Sequence, residues 1–182
     1  MAYKLGDPTA KLAGRLTLNP LKHIDPFGTI IFPGILMLLR TMGYNTVILG
    51  WAKPVPVNFS NLRHPKQDMI WVGLAGPAVN IVLAFLFSLW LRNYNGPLVY
   101  RDILATGVFI NLLLTVFNMI PIPPLDGSRL VMGLLPNSLA RPYMALEPYG
   151  ILIVLVLLSS GLLDSIILPA ILVLTRLLGV EL

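Results

Sequence analysis

The residues of this chain whose types suggest chemistry are Asn118 and Asp126, which flank a proline-rich stretch at the end of an apolar segment. A carboxylate near membrane depth is costly unless it is paired, bound to a metal or placed in a wet cavity. The three prolines between the two residues break the helix, and freed backbone groups are tolerated in a membrane only where they are buried or line a cavity. These features indicate a functional carboxylate. The residues alone leave a second interpretation open, in which Asp126 caps a helix over Ser128–Leu135 at the membrane surface.

We interpret three further residues as structural rather than catalytic: Asp164, His23 and His64. Asp164 lies within the last apolar segment beside serines and Gly161, which predicts a break with Asp164 as the N-cap of a helix over Ser165–Leu178. The two histidines lie in basic connections, and their separation matches no recognised metal-binding spacing. We expect both histidines to be solvated or bonded for structural reasons.

Small and polar residues recur at helical spacing in two apolar segments. One set is Gly73, Gly76, Asn80 and Ala84, and the other is Gly107, Asn111, Thr115 and Asn118. Spacings of three and four place each set on one helix face, and small faces let membrane helices approach closely. We therefore expect the two helices to pack on each other, with Asn111 and Thr115 serving that packing.

The composition is that of a membrane protein. Of 182 residues, 56% are apolar and 12% are charged, and the mean hydropathy is +0.80. These values exclude a disordered chain and argue against a soluble domain. The chain has no cysteine, which excludes disulfides and zinc ribbons. Its net charge of +5 is spread over the connections, which fits the edge of an anionic lipid bilayer rather than a nucleic-acid surface.

The apolar segments predict an all-α, polytopic membrane protein with about three to four membrane-embedded helices. The segment Met69–Leu91 is long enough to span a membrane, and Ile103–Ile120 is just long enough. The last segment, Ile151–Leu174, forms one kinked span or two shorter pieces. Phe27–Leu49 is interrupted and flanked by basic residues on both sides, which favours a re-entrant or interfacial hairpin. Prolines make Val55–Asn58 a short extended, strand-like piece.

The remaining connections complete the predicted organisation. The connection over 127–148 carries several charges and is expected to be exposed. Near the start, Ala2–Gly6 has the pattern of a helix end, with a cation, a glycine and then Pro8. This pattern indicates either the tail of a helix whose body is missing upstream or a frayed terminus. We expect residues 1–182 to form a single membrane-embedded domain.

Several short motifs follow one another along the chain. The motif around Asp126 is Asn118-Met119-Ile120-Pro121-Ile122-Pro123-Pro124-Leu125-Asp126-Gly127. The others are the LGDPTA and GRLTLNP stretches with His23-Ile24-Asp25-Pro26, then Gly50-Trp51-Ala52-Lys53-Pro54-Val55-Pro56-Val57-Asn58, and Leu74-Ala75-Gly76-Pro77-Ala78-Val79-Asn80. Together these motifs resemble the site-2 protease family of intramembrane zinc metallopeptidases, the M50 peptidases, in a compact bacterial branch. The resemblance covers nearly the whole chain.

The resemblance implies a zinc-dependent peptidase that cleaves membrane-embedded peptides. In the family, two histidines of an H-E-x-x-H helix and the aspartate of an L-D-G motif hold Zn²⁺, and the glutamate acts as general base. By this resemblance Asp126 is the third zinc ligand, while Asn118 and Asn80 line the site and hold the substrate backbone. The extended piece around Val55–Asn58 would offer an edge to the peptide. The resemblance also implies an integral protein of the bacterial cytoplasmic membrane.

The chain departs from the family pattern because it contains no H-E-x-x-H. One carboxylate does not hold zinc against water, so we expect the 182-residue chain to be inactive as written, as a truncated form of the peptidase would be. An alternative is a non-catalytic relative that binds membrane proteins. A small transporter or channel subunit would also fit a broken helix, but paired intramembrane charges are lacking.

Overall fold

The computed structural model describes residues 1–17, 19–44, 46, 48 and 50–180, and helices are its regular elements. The α-helices are α1 (Thr9–Leu12), α2 (Phe32–Thr41), α3 (Pro65–Arg92), α4 (Leu98–Asn118), α5 (Asp126–Leu134), α6 (Asn137–Met144), α7 (Gly150–Ser159) and α8 (Asp164–Leu178). Within the described residues there is no β-strand. The all-α prediction is confirmed, and Val55–Asn58 has no regular secondary structure.

Three stretches are long and apolar enough to cross a membrane: Pro65–Arg92, Leu98–Asn118 and Asn137–Ser159. The first two correspond to the predicted spans over 69–91 and 103–120. In the last apolar segment, the chain breaks after Ser159 at Gly161, whose φ of +72° favours glycine. The segment is therefore two helices, α7 and α8, rather than one kinked helix.

By their backbone contacts the described residues form two compact units. One comprises Ala2–Arg63, and the other comprises His64 onward together with Met1. The prediction of a single domain over residues 1–182 stays a prediction.

In the unit formed by Ala2–Arg63, a fully buried carboxylate organises the chain. Asp7 accepts hydrogen bonds from the backbone N–H of Asn58 at 2.9 Å and from the Asn61 amide at 3.1 Å, and also from Thr9. Just before it, Ala2–Leu5 form one 3₁₀ turn that ends at Gly6, where φ is +114°. Asp7 thus ties the beginning of this unit to its last residues.

The segment predicted to be a re-entrant or interfacial hairpin contains one short helix, and its placement at the membrane stays a prediction. A π-helical turn over Pro26–Ile31 continues into α2, and the sixteen-residue Pro26–Thr41 is shorter than a membrane span. Trp51 returns to the start of this helix, where its N–H donates to the Gly28 carbonyl at 3.0 Å and its ring lies 5.3 Å from that of Phe32. Asn45, Val47 and Leu49, at the end of the predicted hairpin, lie outside the described residues.

In the second unit, α3 and α4 pack together and α8 lies against α4. Their buried side chains form one apolar cluster, with Ala84 of α3, Val108 and Leu112 of α4 and Ile167 of α8 at its centre. Helix α3 begins at Pro65, where the missing N–H has no cost because the first N–H groups of a helix have no partner within it. The Asp68 carboxylate accepts a hydrogen bond from the backbone N–H of His64 at 2.8 Å. This frame positions the ends of α4 and α5, where the predicted site residues lie.

Candidate active site

Asp126 is the first residue of α5, immediately after the proline-rich turn that ends α4. Leu125 occupies the N-cap position with an extended backbone, and no side chain caps the helix. The interpretation of Asp126 as the cap of the next helix is therefore wrong. Gly127 allows this arrangement, because a side chain there would collide with the carbonyl of Met119.

Two glycines of α3 make the space beside Asp126. A Cβ atom at Gly76 would lie 3.0 Å from the Asp126 Oδ2 atom, and one at Gly73 would lie 2.9 Å from both the Asp126 carbonyl oxygen and the Arg129 Cβ. The small-residue face predicted on α3 is thus real, but Gly73 and Gly76 pack against α5 rather than α4. The spacing of the small residues predicted this face of α3 but did not predict which helix packs against it.

The second half of that face does contact α4. Ala84 is fully buried in the core, and the Thr115 hydroxyl lies 3.4 Å from the Pro77 carbonyl oxygen. Asn111 instead donates to the Gly107 carbonyl of its own helix at 2.8 Å. The packing interpretation therefore holds for Thr115, while the amide of Asn111 is used within α4.

The electrostatic surroundings of Asp126 come from α5 itself and from the residues after it. Burial raises the pKa of the Asp126 carboxyl, and the positive charge of Arg129, one turn later, acts in the opposite direction. Arg129 is 14% exposed and forms an ion pair with Glu147 at 2.6 Å. No hydrogen-bond donor of the described residues reaches the Asp126 carboxylate, so it is available to an external ligand.

The expectation that 127–148 is an exposed connection is wrong for α5. Gly127, Ser128 and Met132 are buried, because α5 packs along the first half of α3. Sequence analysis therefore missed Arg129 as part of the surroundings of Asp126. Its position three residues after Asp126 on one helix face was the available signal.

The proline-rich turn is held on both sides by backbone contacts. Pro123 is fully buried, and a side chain at Gly150, the first residue of α7, would collide with its carbonyl oxygen. The Tyr143 hydroxyl donates to the Pro121 carbonyl at 2.8 Å. The turn that precedes Asp126 is thus held at Pro121 and Pro123, and Pro123 is its buried residue, while Pro121 and Pro124 are exposed.

Asn118 and Asn80 belong to elements that meet around Asp126, but neither bonds to it. The Asn118 amide donates to the Leu114 carbonyl of its own helix at 2.9 Å. Asn80 follows Gly76 by one helical turn on the same face of α3 and is partly buried. Both amides retain capacity to bind a further group, since each carries two N–H donors and an acceptor.

An apolar cavity of about 420 Å³ adjoins α3 and α4. Trp71, Ala75 and Ala78 of α3 and Thr115 and Met119 of α4 contribute to its walls. Met119 also lies against Gly127, so the cavity reaches the end of α4 at which the predicted site residues lie.

Among the described residues, no group of three or more histidine, cysteine, aspartate or glutamate side chains is placed to hold a metal ion. The His23 ring lies 3.1 Å from the Thr17 carbonyl oxygen, and His64 precedes the first residue of α3. Asp164 is exposed at the start of α8, where Leu163 takes the N-cap position, so its predicted capping role is wrong.

Fold and site together define a polytopic membrane protein with a partly buried carboxylate at the start of a helix that follows a broken one. The model of Peptidase family M50 matches residues 97–160, which include the proline-rich turn and Asp126. No solved structure matches the chain significantly.

Curated relatives extend the similarity over most of the chain. It is 38% identical over 178 residues to "Putative zinc metalloprotease YwhC" of Bacillus subtilis, covering 93% of this chain and 76% of that protein. It is 33% identical over 165 residues to "Putative zinc metalloprotease Rip2" of Mycolicibacterium smegmatis, covering 90% of this chain and 61% of that protein. The chain belongs to peptidase family M50, the site-2 protease family of zinc metalloproteases.

Proposed function

We propose that this protein acts in intramembrane proteolysis, with Asp126 as one ligand of a catalytic zinc ion and with membrane-embedded peptides as its substrates. The observation that carries the proposal is the Asp126 carboxylate, partly buried beside Gly76 and free of hydrogen-bond donors among the described residues. A charged group in this state requires compensation, and a bound cation supplies it.

The remaining zinc ligands would come from outside the described residues. A catalytic zinc ion takes three protein ligands and an open position, and Asp126 is a single donor. The names of the relatives support zinc, since YwhC and Rip2 both carry the term zinc metalloprotease. Because these relatives are bacterial, we assign the protein to the cytoplasmic membrane of a bacterium.

The residues of this chain would hold the substrate and exclude water. A peptide bond inside a bilayer must leave its helix before it is cleaved, and its exposed N–H and C=O groups then need partners. Asn80 and Asn118 would provide such partners on either side of Asp126. The apolar cavity between α3 and α4 would receive an apolar substrate side chain.

The test compares Asp126→Asn with Asp164→Asn, a matched removal of an exposed carboxylate at another helix start. In the protein isolated from its own membrane, we expect about one zinc ion per chain in the unaltered form and in Asp164→Asn. We expect Asp126→Asn to lose both the zinc and cleavage of a membrane-embedded reporter peptide. Zinc retained after Asp126→Asn would refute the assignment of this ligand.

A second measurement uses the 182 residues expressed and purified on their own. We expect metal analysis to find far less than one zinc ion per chain, because a single carboxylate ligand does not compete with water. Stoichiometric zinc that is lost in Asp126→Ala would show that these residues build a metal site on their own.

A further inference from the structure

A polar cavity of about 530 Å³ lies where α3 ends, α4 begins and α8 ends. Arg92, Arg101, Tyr94 and Asn95 contribute to its walls. Helix α4 runs from this cavity toward Asp126, and its 21 residues give a length of about 30 Å. The cavity is therefore distinct from the proposed catalytic site and lies at the other end of the helices.

The two arginines present unpaired positive charge to this cavity. Arg92 is the last residue of α3 and lies against the C-terminus of α8, where a Cβ at Gly179 would be 3.3 Å from its Nη1 atom. The carbonyl groups at a helix C-terminus attract a cation, which favours this position of the guanidinium. Arg101 is on the first turn of α4, and in the described part of the chain neither guanidinium forms a hydrogen bond or ion pair.

One carboxylate, that of Asp102, also lines the cavity. It forms no ion pair with either arginine within the described residues. Among the described lining residues, two positive charges stand against one negative charge, and this excess favours a ligand with net negative charge.

An apolar groove of about 410 Å³ lies beside the cavity, and Tyr94 lines both. Its other walls include Phe87 and Trp90 of α3 and Tyr100 and Ile103 of α4. Trp90, Tyr100 and Ile103 are largely exposed although they are large and apolar. Aromatic side chains at the ends of spans mark the boundary between lipid tails and headgroups.

We infer that the cavity and the groove together bind one anionic phospholipid of the surrounding bilayer. Its phosphate lies between Arg92 and Arg101, since guanidinium groups bind phosphate through paired N–H donors. One acyl chain lies along the groove on the outer surface of the two spans. A soluble phosphate would use the arginines but leave the groove unoccupied, whereas an anionic lipid satisfies both.

The test is native mass spectrometry of the purified protein in detergent with two lipids that have identical acyl chains. We expect bound phosphatidylglycerol to exceed bound phosphatidylcholine about tenfold. In the double variant with Arg92→Gln and Arg101→Gln, the bound amounts of the two lipids should become nearly equal. Arg101→Gln alone, at an exposed side chain, should lower the preference severalfold and keeps the test valid if the double variant does not fold.

The control replaces two exposed cations of the other unit, as Arg40→Gln with Lys53→Gln. We expect this variant to keep the full preference. Equal binding of the two lipids by the unaltered protein, or an equal loss in the control, would overturn the inference. Glycerophosphoglycerol and inorganic phosphate are added as competitors, and displacement of the lipid by either at similar concentration would instead identify a site for soluble anions.

Discussion

Asp7 shows how a single carboxylate organises the unit formed by Ala2–Arg63. Hydrogen bonds from Thr9, Asn58 and Asn61 converge on it. Burial would raise its pKa, but these hydrogen bonds outweigh burial and lower the pKa to about 2. The ionised form is therefore the one that the fold stabilises.

The pH dependence of this unit follows from that shift. Because the pKa of Asp7 is lower in the folded state, its contribution to stability is complete above the unfolded pKa near 3.8 and is lost as the pH falls toward about 2. Hydrogen exchange of residues 2–63 between pH 5 and pH 2 should show protection decreasing in this window. Asp7→Asn should lower stability at neutral pH by about 2 kcal/mol and remove most of the pH dependence. Unchanged protection in this variant would contradict the role of the carboxylate.

Asn118 allows a matched test of the proposed substrate contact. Asn118 and Asn111 both donate to a carbonyl four residues earlier in α4, at 2.9 Å and 2.8 Å. Asn118→Ala should reduce cleavage by the native protein tenfold or more with zinc content unchanged, because the substrate loses a hydrogen-bond partner. Asn111→Ala should leave the rate of cleavage within about twofold. Equal effects of the two substitutions would indicate a purely structural role for Asn118.

At the scale of elements, the close approach of α5 to α3 depends on glycines. A Cβ at Gly73 would lie 2.9 Å from the Asp126 carbonyl oxygen, whereas at Gly34 of α2 no atom lies within 4 Å. Alanine is the better helix former by about 1 kcal/mol, so Gly34→Ala should be neutral or stabilising. Gly73→Ala should instead lower the melting temperature in detergent and reduce zinc binding by the native protein, since α5 must shift. A stabilising effect at Gly73 would show that the contact is loose.

Much of this helical arrangement could be predicted from hydrophobicity and prolines. Uncharged runs define α3 and α4, and the prolines after Asn118 define where α4 ends. The packing of α5 could not be predicted. A helix face made of glycines indicates that another element approaches closely, but it does not identify that element. For the same reason the sequence identifies Asp126 as a candidate ligand without identifying Arg129 and Gly76 as its neighbours.

For the whole molecule, the outer surface of the spans is apolar. Val79, Val82, Phe85 and Leu86 of α3 are largely exposed in the folded chain, which is the pattern of a surface in contact with lipid. Val82→Arg should therefore oppose membrane insertion by about 3 kcal/mol, while Val82→Leu should not. A glycosylation-based insertion assay of α3 measures the difference. Equal insertion of the two variants would contradict contact of this face with lipid.

The fixed alignment of α5 along α3 has a consequence for how the family site can vary. Lys66 donates to the Leu135 carbonyl at 2.6 Å, Gly133 lies against Ile70, and Gly73 and Gly76 lie against the first turn of α5. Residues 66, 70, 73 and 76 of α3 thus fix the position of α5 along α3. The contact at Gly76 fixes the position of the Asp126 carboxylate. Inserting one residue between these positions would shift the remainder of α3 by about 1.5 Å and rotate it by about 100°, which would separate Gly76 from the Asp126 carboxylate.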